Sequence, residues 1–195
     1  GRKPRYNITT YGCQMNERDS EHLGGFFQAA GFEESAYDEA DFLLYNTCCI
    51  REHAEHKVFG NVGALLNRKE TQPELIVAVC GCMMQQEDTA SALYTRFPFV
   101  DVIFGTHALH LFPGLLQKVV MERERVLDIR KSDGVIAENL PVHRKEGASA
   151  FITAMLGCNN FCRFCIVPYV RGRERSRAAE DILRGVLLLA EEGVS

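Results

Sequence analysis

Four short runs, RYNITTYG (5–12), DFLLYNT (41–47), ELIVAVCG (74–81) and VDVIFG (100–105), are β-branched or apolar, end in turn residues and are separated by segments of helical pattern. Several are apolar throughout instead of alternating, as in strands buried on both faces. Such strands, alternating with helices, are expected to form a parallel sheet covered on each side, an α/β fold. Asn16 is the expected N-cap of the first helix, with Asp19 three residues on. Leu23, Phe26, Phe27 and Ala30 make its apolar face, and Gly31 its stop. Val58, Val62, Leu65 and Leu66 give the second helix its face, and further helices are expected over about 85–96 and 107–121.

After residue 121 the pattern weakens. MERERVLDIRKSDG has room for one edge strand, and VIAENLPVHRKEGAS has the polar, Pro- and Gly-containing character of a linker. AFITAMLGC then reads as a new strand, and AAEDILRGVLLLAEEG as an amphipathic helix ending at Gly193. One β-loop-α unit cannot bury both of its faces, so it is expected to be the first unit of a barrel whose remainder is absent. The expected division is 1–122 for the sheet domain, 123–149 for the linker and edge strand, and 150–195 for the truncated barrel.

Eight cysteines without a secretion signal point to thiol or metal chemistry, not to a disulfide scaffold. The start, GRKPRYNITTYG, has no apolar core after its basic residues, and Gly1 in place of Met reads as a trimmed terminus. No apolar run approaches the roughly 18 residues of a membrane span, so a cytoplasmic protein without a membrane partner is expected. The formal net charge of −4 argues against a generally basic nucleic-acid binder and leaves any RNA contact to a local patch.

The cysteines fall into two groups. GCNNFCRFC places Cys158, Cys162 and Cys165 at the spacing C-x3-C-x2-C. A closed zinc or iron–sulfur site takes four protein ligands, and this run supplies three with no cysteine after it. Zinc with a distant fourth ligand, His143 or one of the scattered cysteines, is the alternative. Cys13, Cys48 and Cys82 each follow a strand run. Strand carboxyl ends lie along one edge of an open parallel sheet, so these three are expected to converge on a three-thiolate site, the alternative being buried thiols. Cys80 ends an apolar run and Cys49 adjoins Cys48, and both are read as structural.

RGRERSR puts Arg171, Arg173, Arg175 and Arg177 within seven residues just after the cysteine loop. Arginine forks suit phosphate, so one or two of them are expected to touch an RNA backbone; the alternative is a solvated loop with Glu174 pairing locally. His53 with His56, and His107 with His110, are spaced to share a metal but read better as ordinary helix histidines. Neither a P-loop nor a G-x-G-x-x-G is present.

The C-x3-C-x2-C run after a strand, with aromatic Phe164 before its last cysteine, resembles the radical S-adenosylmethionine enzymes. The wider set TYGCQMN, YNTCCIRE, CGCMMQ and GCNNFCRFCIVPYVRGRERSR resembles the methylthiotransferases, and within them the tRNA-modifying branch. That resemblance implies a flavodoxin-like N-terminal domain holding an auxiliary [4Fe-4S] cluster on Cys13, Cys48 and Cys82. It implies a second [4Fe-4S] cluster on Cys158, Cys162 and Cys165, whose open iron binds S-adenosyl-L-methionine, with Phe164 packed near the cofactor's adenine; the alternative for Phe164 is a core aromatic. The implied reaction inserts a methylthio group at C2 of N6-(dimethylallyl)adenosine beside the tRNA anticodon. An electron donor such as flavodoxin or ferredoxin is implied too, while the sulfur donor is left open. Nearby alternatives are a methylthiotransferase acting on threonylcarbamoyl-adenosine tRNA or on a ribosomal protein. A non-enzymatic iron–sulfur or zinc protein is the third.

Overall fold

The computed structural model of the protein describes residues 1–195 except 50, 51, 133, 145–148, 192, 194 and 195, and gives the backbone of 52–54. Six parallel strands form one sheet: β1 (Arg5–Thr10), β2 (Glu33–Glu34), β3 (Phe42–Thr47), β4 (Ile76–Gly81), β5 (Val102–Phe104) and β6 (Val126–Asp128), in the order β2-β1-β3-β4-β5-β6. That order, with helices on both faces, is the flavodoxin-like arrangement extended by one strand. The four apolar runs supply β1, β3, β4 and β5. β2 is two exposed glutamates and carried no apolar signal, whereas β6 lies inside the segment expected as linker and edge strand and pairs with β5.

The strand period of two explains the double burial. Phe42, Leu44, Ile76, Ala78, Cys80, Val102 and Phe104 point to one core, and Leu43, Tyr45, Val77, Val79 and Ile103 to the other. The first core is covered by α1 (Gln14–Ala29) and α5 (Phe112–Gln117), the second by α2 (Glu52–Ala64) and α4 (Glu87–Arg96). Phe27 is the hub of the first: its ring stacks on Tyr6 at 4.4 Å and meets Phe42 and Phe112 edge-on at 4.8 and 5.1 Å. Burying a ring of this size stabilises by about 2–3 kcal/mol before the ring–ring geometry adds to it.

The helix boundaries depart from expectation in three places. α1 starts at Gln14 with Cys13 at its N-cap, because the Asn16 side chain is fully buried and bonded elsewhere. Leu66 is exposed, since α2 stops at Ala64 and Leu66 begins a separate short helix, α3 (Leu66–Thr71). The fourth expected helix is a 3-10 turn (Thr106–Leu111), then α5, then a π turn (Lys118–Glu122).

Beyond the sheet, the expected strand 150–158 shrinks to β7 (Met155–Leu156), which pairs antiparallel with β8 (Arg175–Ser176) and not with a parallel barrel strand. A short α6 (Val167–Val170) and the amphipathic α7 (Ala179–Glu191) complete the described part. Leu183, Val186, Leu187 and Leu188 leave an apolar face of α7 open. Among the described residues no helix is long and apolar enough to cross a membrane.

The segment before β7 is fastened to α1. His22 Nδ1 donates to the Pro141 carbonyl at 3.0 Å, and burial, helped by Arg18, pulls this imidazole down to about 4, so it stays neutral. His143 donates its backbone N–H to Glu21 O at 2.8 Å and its Nε2 proton to Glu34 at 2.9 Å. The approach is close enough that a Cβ on Gly25 would sit 2.5 Å from the Pro141 carbonyl carbon, whereas one on Gly60 of α2 meets nothing within 4 Å. Alanine at a helix interior ordinarily gains about 0.5–1 kcal/mol over glycine. Gly60→Ala is therefore expected to raise the thermal midpoint. Gly25→Ala is expected to lower it by about 1–3 kcal/mol of stability and to speed proteolysis near residue 141, because backbone must move to admit the methyl.

Candidate metal centre at the strand ends

In this strand order β1 and β3 are neighbours although β2 lies between them in sequence, so the connections leave β1 and β3 in opposite directions. The crevice beyond their carboxyl ends is where such sheets bind ligands. Cys13 follows β1, Cys48 follows β3, and Cys82 follows β4 at the start of a 3-10 turn (Met83–Gln85). Cys13 is exposed, whereas Cys48 and Cys82 are buried. Gly12, at φ +134°, lets the first two turns touch: a Cβ there would lie 2.6 Å from Cys48 Cβ. Gly81, at φ +100°, does the same for the third, since a Cβ would lie 2.3 Å from the Thr47 carbonyl.

A buried polar network ties these ends together. Asn16 Nδ2 donates to Asn46 Oδ1 at 3.0 Å and to the Thr47 carbonyl at 3.1 Å. Asn46 Nδ2 returns the bond to the Asn16 carbonyl at 2.8 Å and reaches Ser20 Oγ at 2.9 Å, and Thr47 Oγ1 donates to Cys80 O at 2.5 Å. Polar groups this deep persist because each has a partner.

Cys49 and Arg171 both reach Cys82. The Cys49 thiol donates to the Cys82 sulfur and pulls its titration down to about 7 against the cost of burial, with the Arg171 guanidinium adding to the fall. The same contact drives the Cys49 thiol far upward. Arg171 Nε donates to Cys82 Sγ at 3.2 Å, and its Nη2 stands 2.6 Å from Asp19 Oδ2 on α1. Burial opposes the charge on Arg171, but Asp19 and Cys82 more than offset it and hold the guanidinium protonated. Cys80 is packed in the first core, its thiol pushed well up by burial.

Cys13, Cys48 and Cys82 are three cysteines at strand ends along one sheet edge, a soft donor set of the kind that holds iron–sulfur groups or zinc. Among the described residues no group of three or more His, Cys, Asp or Glu side chains is placed to hold an ion. The fit is one of donor type and of place at the strand ends, not of mutual distance, with a cation beside the Cys82 sulfur supplied by Arg171. Cys49 and Asp19 are members of this edge that periodicity did not reveal. The polar pair Asn46–Thr47 at the end of an otherwise apolar strand was the available signal.

The second cysteine set lies on the loop between β7 and α6. Cys158 donates its backbone N–H to Gly172 O at 3.2 Å, and the Cys165 N–H bonds Cys162 O at 3.0 Å. Gly157 at φ +76° is required, because a Cβ would fall 2.2 Å from Arg173 O. Cys162 is exposed and Cys158 and Cys165 half-buried, while Phe164, at 93% exposed, projects away from the chain. His143, the alternative fourth zinc ligand, is instead committed to Glu34 and Gln28. The His53 side chain lies outside the described residues.

The four arginines do not form one surface. Arg171 is buried. Arg175 donates to the Val135 and Arg171 carbonyls, each at 3.0 Å, and Arg177 bonds both oxygens of Glu138 at 2.7 and 2.5 Å. Arg173 alone among them is exposed, its guanidinium 5.4 Å from the Phe161 ring centre.

The network makes a stability prediction. Asn46→Ala leaves the Asn16 carboxamide and Ser20 short of partners inside the protein, and each orphaned buried group costs about 1–3 kcal/mol. Denaturant unfolding should show a loss of about 2–4 kcal/mol. Asn46→Asp should not recover the loss, because its buried carboxylate can accept from Asn16 Nδ2 but would face the Asn16 carbonyl that Asn46 Nδ2 bonds at 2.8 Å.

Known proteins resemble the chain along its whole length. The model of the family described as "Uncharacterized protein family UPF0004" matches residues 5–105, the span carrying β1 to β5 and the first three-cysteine set. A protein of Caldicellulosiruptor saccharolyticus named tRNA-2-methylthio-N(6)-dimethylallyladenosine synthase is 51% identical over 195 residues, all of this chain and 41% of that relative. Proteins of the same name from Clostridium botulinum (strain Alaska E43) and Acetivibrio thermocellus are 52% and 50% identical, over 95% and 99% of this chain and 41% and 40% of their own lengths. The chain thus spans about two fifths of the curated relatives it matches. With the matched span covering more than half of its residues, the chain belongs to the family UPF0004.

Proposed function

We propose that the chain is the cluster-bearing part of a tRNA methylthiotransferase that places a methylthio group at C2 of N6-(dimethylallyl)adenosine next to the anticodon. The observation that carries this reading is the 51% identity, over the whole chain, with a relative named for that synthesis. The strand-end placement supports it: one set of three cysteines follows strands that end along one sheet edge and a second lies on the adjoining loop. Cys13, Cys48 and Cys82 would hold one [4Fe-4S] cluster, and Cys158, Cys162 and Cys165 the other. When bound, the two clusters and S-adenosyl-L-methionine would supply the radical and sulfur chemistry, with electrons from a small carrier such as flavodoxin or ferredoxin. The chain's own part is to orient the thiols, exclude water from Cys48 and Cys82, and hold the two loops face to face.

The open apolar face of α7 is a surface that further barrel elements would cover. Arg173, exposed and stacked on Phe161, is the arginine placed to meet an RNA phosphate. The other three serve the protein itself. A tRNA substrate would set the enzyme to work in the cytoplasm.

Two measurements on the full-length enzyme test the reading. After anaerobic reconstitution it should carry about eight irons per chain, falling to about four when either cysteine set is changed to alanine. With dithionite, S-adenosylmethionine and isopentenylated tRNA, nucleoside mass spectrometry should then show the methylthio product. Stoichiometric zinc without iron would refute the enzyme; product on threonylcarbamoyl-adenosine alone would move it to the sister branch. Arg173→Ala should weaken tRNA binding at physiological salt and leave iron content unchanged.

A further inference from the structure

The two cysteine sets are joined by two consecutive residues. Arg171 sends its side chain to Cys82 Sγ at 3.2 Å, and Gly172 accepts the backbone N–H of Cys158 at 3.2 Å. On either side the segment is pinned: Thr106 Oγ1 donates to Val170 O at 2.5 Å, and Arg175 Nη2 donates to Arg171 O at 3.0 Å. Arg171 is only 8% exposed, and its other end meets Asp19 on α1 at 2.6 Å. Gly172, at φ +79°, makes the turn that presents the guanidinium to one set and the carbonyl to the other.

A buried ion pair is a poor way to gain stability, since well-packed apolar residues of like volume do as well or better. What a buried fork does provide is direction. Arg171 can satisfy Asp19 and Cys82 together in a single placement of the 170–172 segment, and that placement fixes where Cys158 stands. Hydrogen bonds and positive charge at a cluster sulfur also stabilise the reduced, more negative state and so raise its potential.

We propose that Arg171 is a positioning residue that holds the two cysteine sets in mutual register and donates a hydrogen bond to the Cys82 sulfur when that sulfur ligates iron. The inference rests on Cys82 being a cluster ligand, as proposed above. Its two halves are tested separately in the full-length enzyme.

For the sulfur contact, Cys158, Cys162 and Cys165 are replaced by alanine so that only the Cys13/Cys48/Cys82 site loads, and its midpoint potential is measured. Arg171→Met should retain iron and shift the potential to more negative values, with Arg171→Lys restoring part of the shift. An unchanged potential with iron retained would overturn the contact and leave the proposed function standing. Absence of iron from the parent with Arg171 intact would sink the proposed function itself, and this inference with it. If the methionine variant does not fold, Arg171→Gln carries the same test, with a smaller negative shift expected.

For register, the enzyme with all six cysteines is reduced and the magnetic coupling between its two clusters is read by electron paramagnetic resonance. Arg171→Met should weaken or broaden that coupling at unchanged iron content. Coupling identical to wild type would overturn the register role.

Discussion

Asn16 and Asn46 exchange hydrogen bonds beneath the carboxyl ends of β1 and β3, and the rest of the site is arranged around that exchange. A sheet buried on both faces has no polar surface except at its strand ends. Closing those ends with fully satisfied amides gives the turns after β1, β3 and β4 fixed directions without exposing the core. Cys13, Cys48 and Cys82 stand on the three turns so fixed, and Gly12 and Gly81 are the positions where a methyl would force the turns apart.

The second layer is electrostatic. Burial by itself would hold a thiol neutral, as it does for Cys80 in the core. Cys82 differs because it receives a hydrogen from Cys49 and another from Arg171, with Asp19 as the balancing charge. The same strand end thus offers an inert thiol on one side and an ionisable one two residues later. That contrast follows from their partners: Cys82, just past the strand end, is within reach of Cys49 and Arg171, whereas Cys80 is packed in the core.

The apolar runs and their turn residues made the sheet legible, because burial on both faces leaves a continuous apolar signature. That Cys13, Cys48 and Cys82 follow strands ending along one edge was legible for a related reason: a parallel sheet brings all strand carboxyl ends to the same side. β2 was invisible, since a two-residue edge strand of glutamates has no apolar pattern to show. Asn16 looked like a helix cap, and in the fold its amide is spent on Asn46 and Thr47 instead. RGRERSR looked like one cationic patch, yet in the fold its members turn to Cys82, Glu138, two carbonyls and a ring. Charge spacing in sequence carries no record of the partners a segment meets when it docks.

The sequence by itself determined that this chain makes a doubly covered parallel sheet with cysteines at three strand ends and a three-cysteine loop beyond it. These follow from residue type and local period, which act along the chain. Tertiary structure alone decided that Arg171 lies buried between Asp19 and Cys82 and that Cys49 faces Cys82. It also decided that residues 141–143 lie against Gly24 and Gly25 of α1. Those contacts join residues up to 152 positions apart (Arg171 minus Asp19), and only packing brings such groups within hydrogen-bond reach.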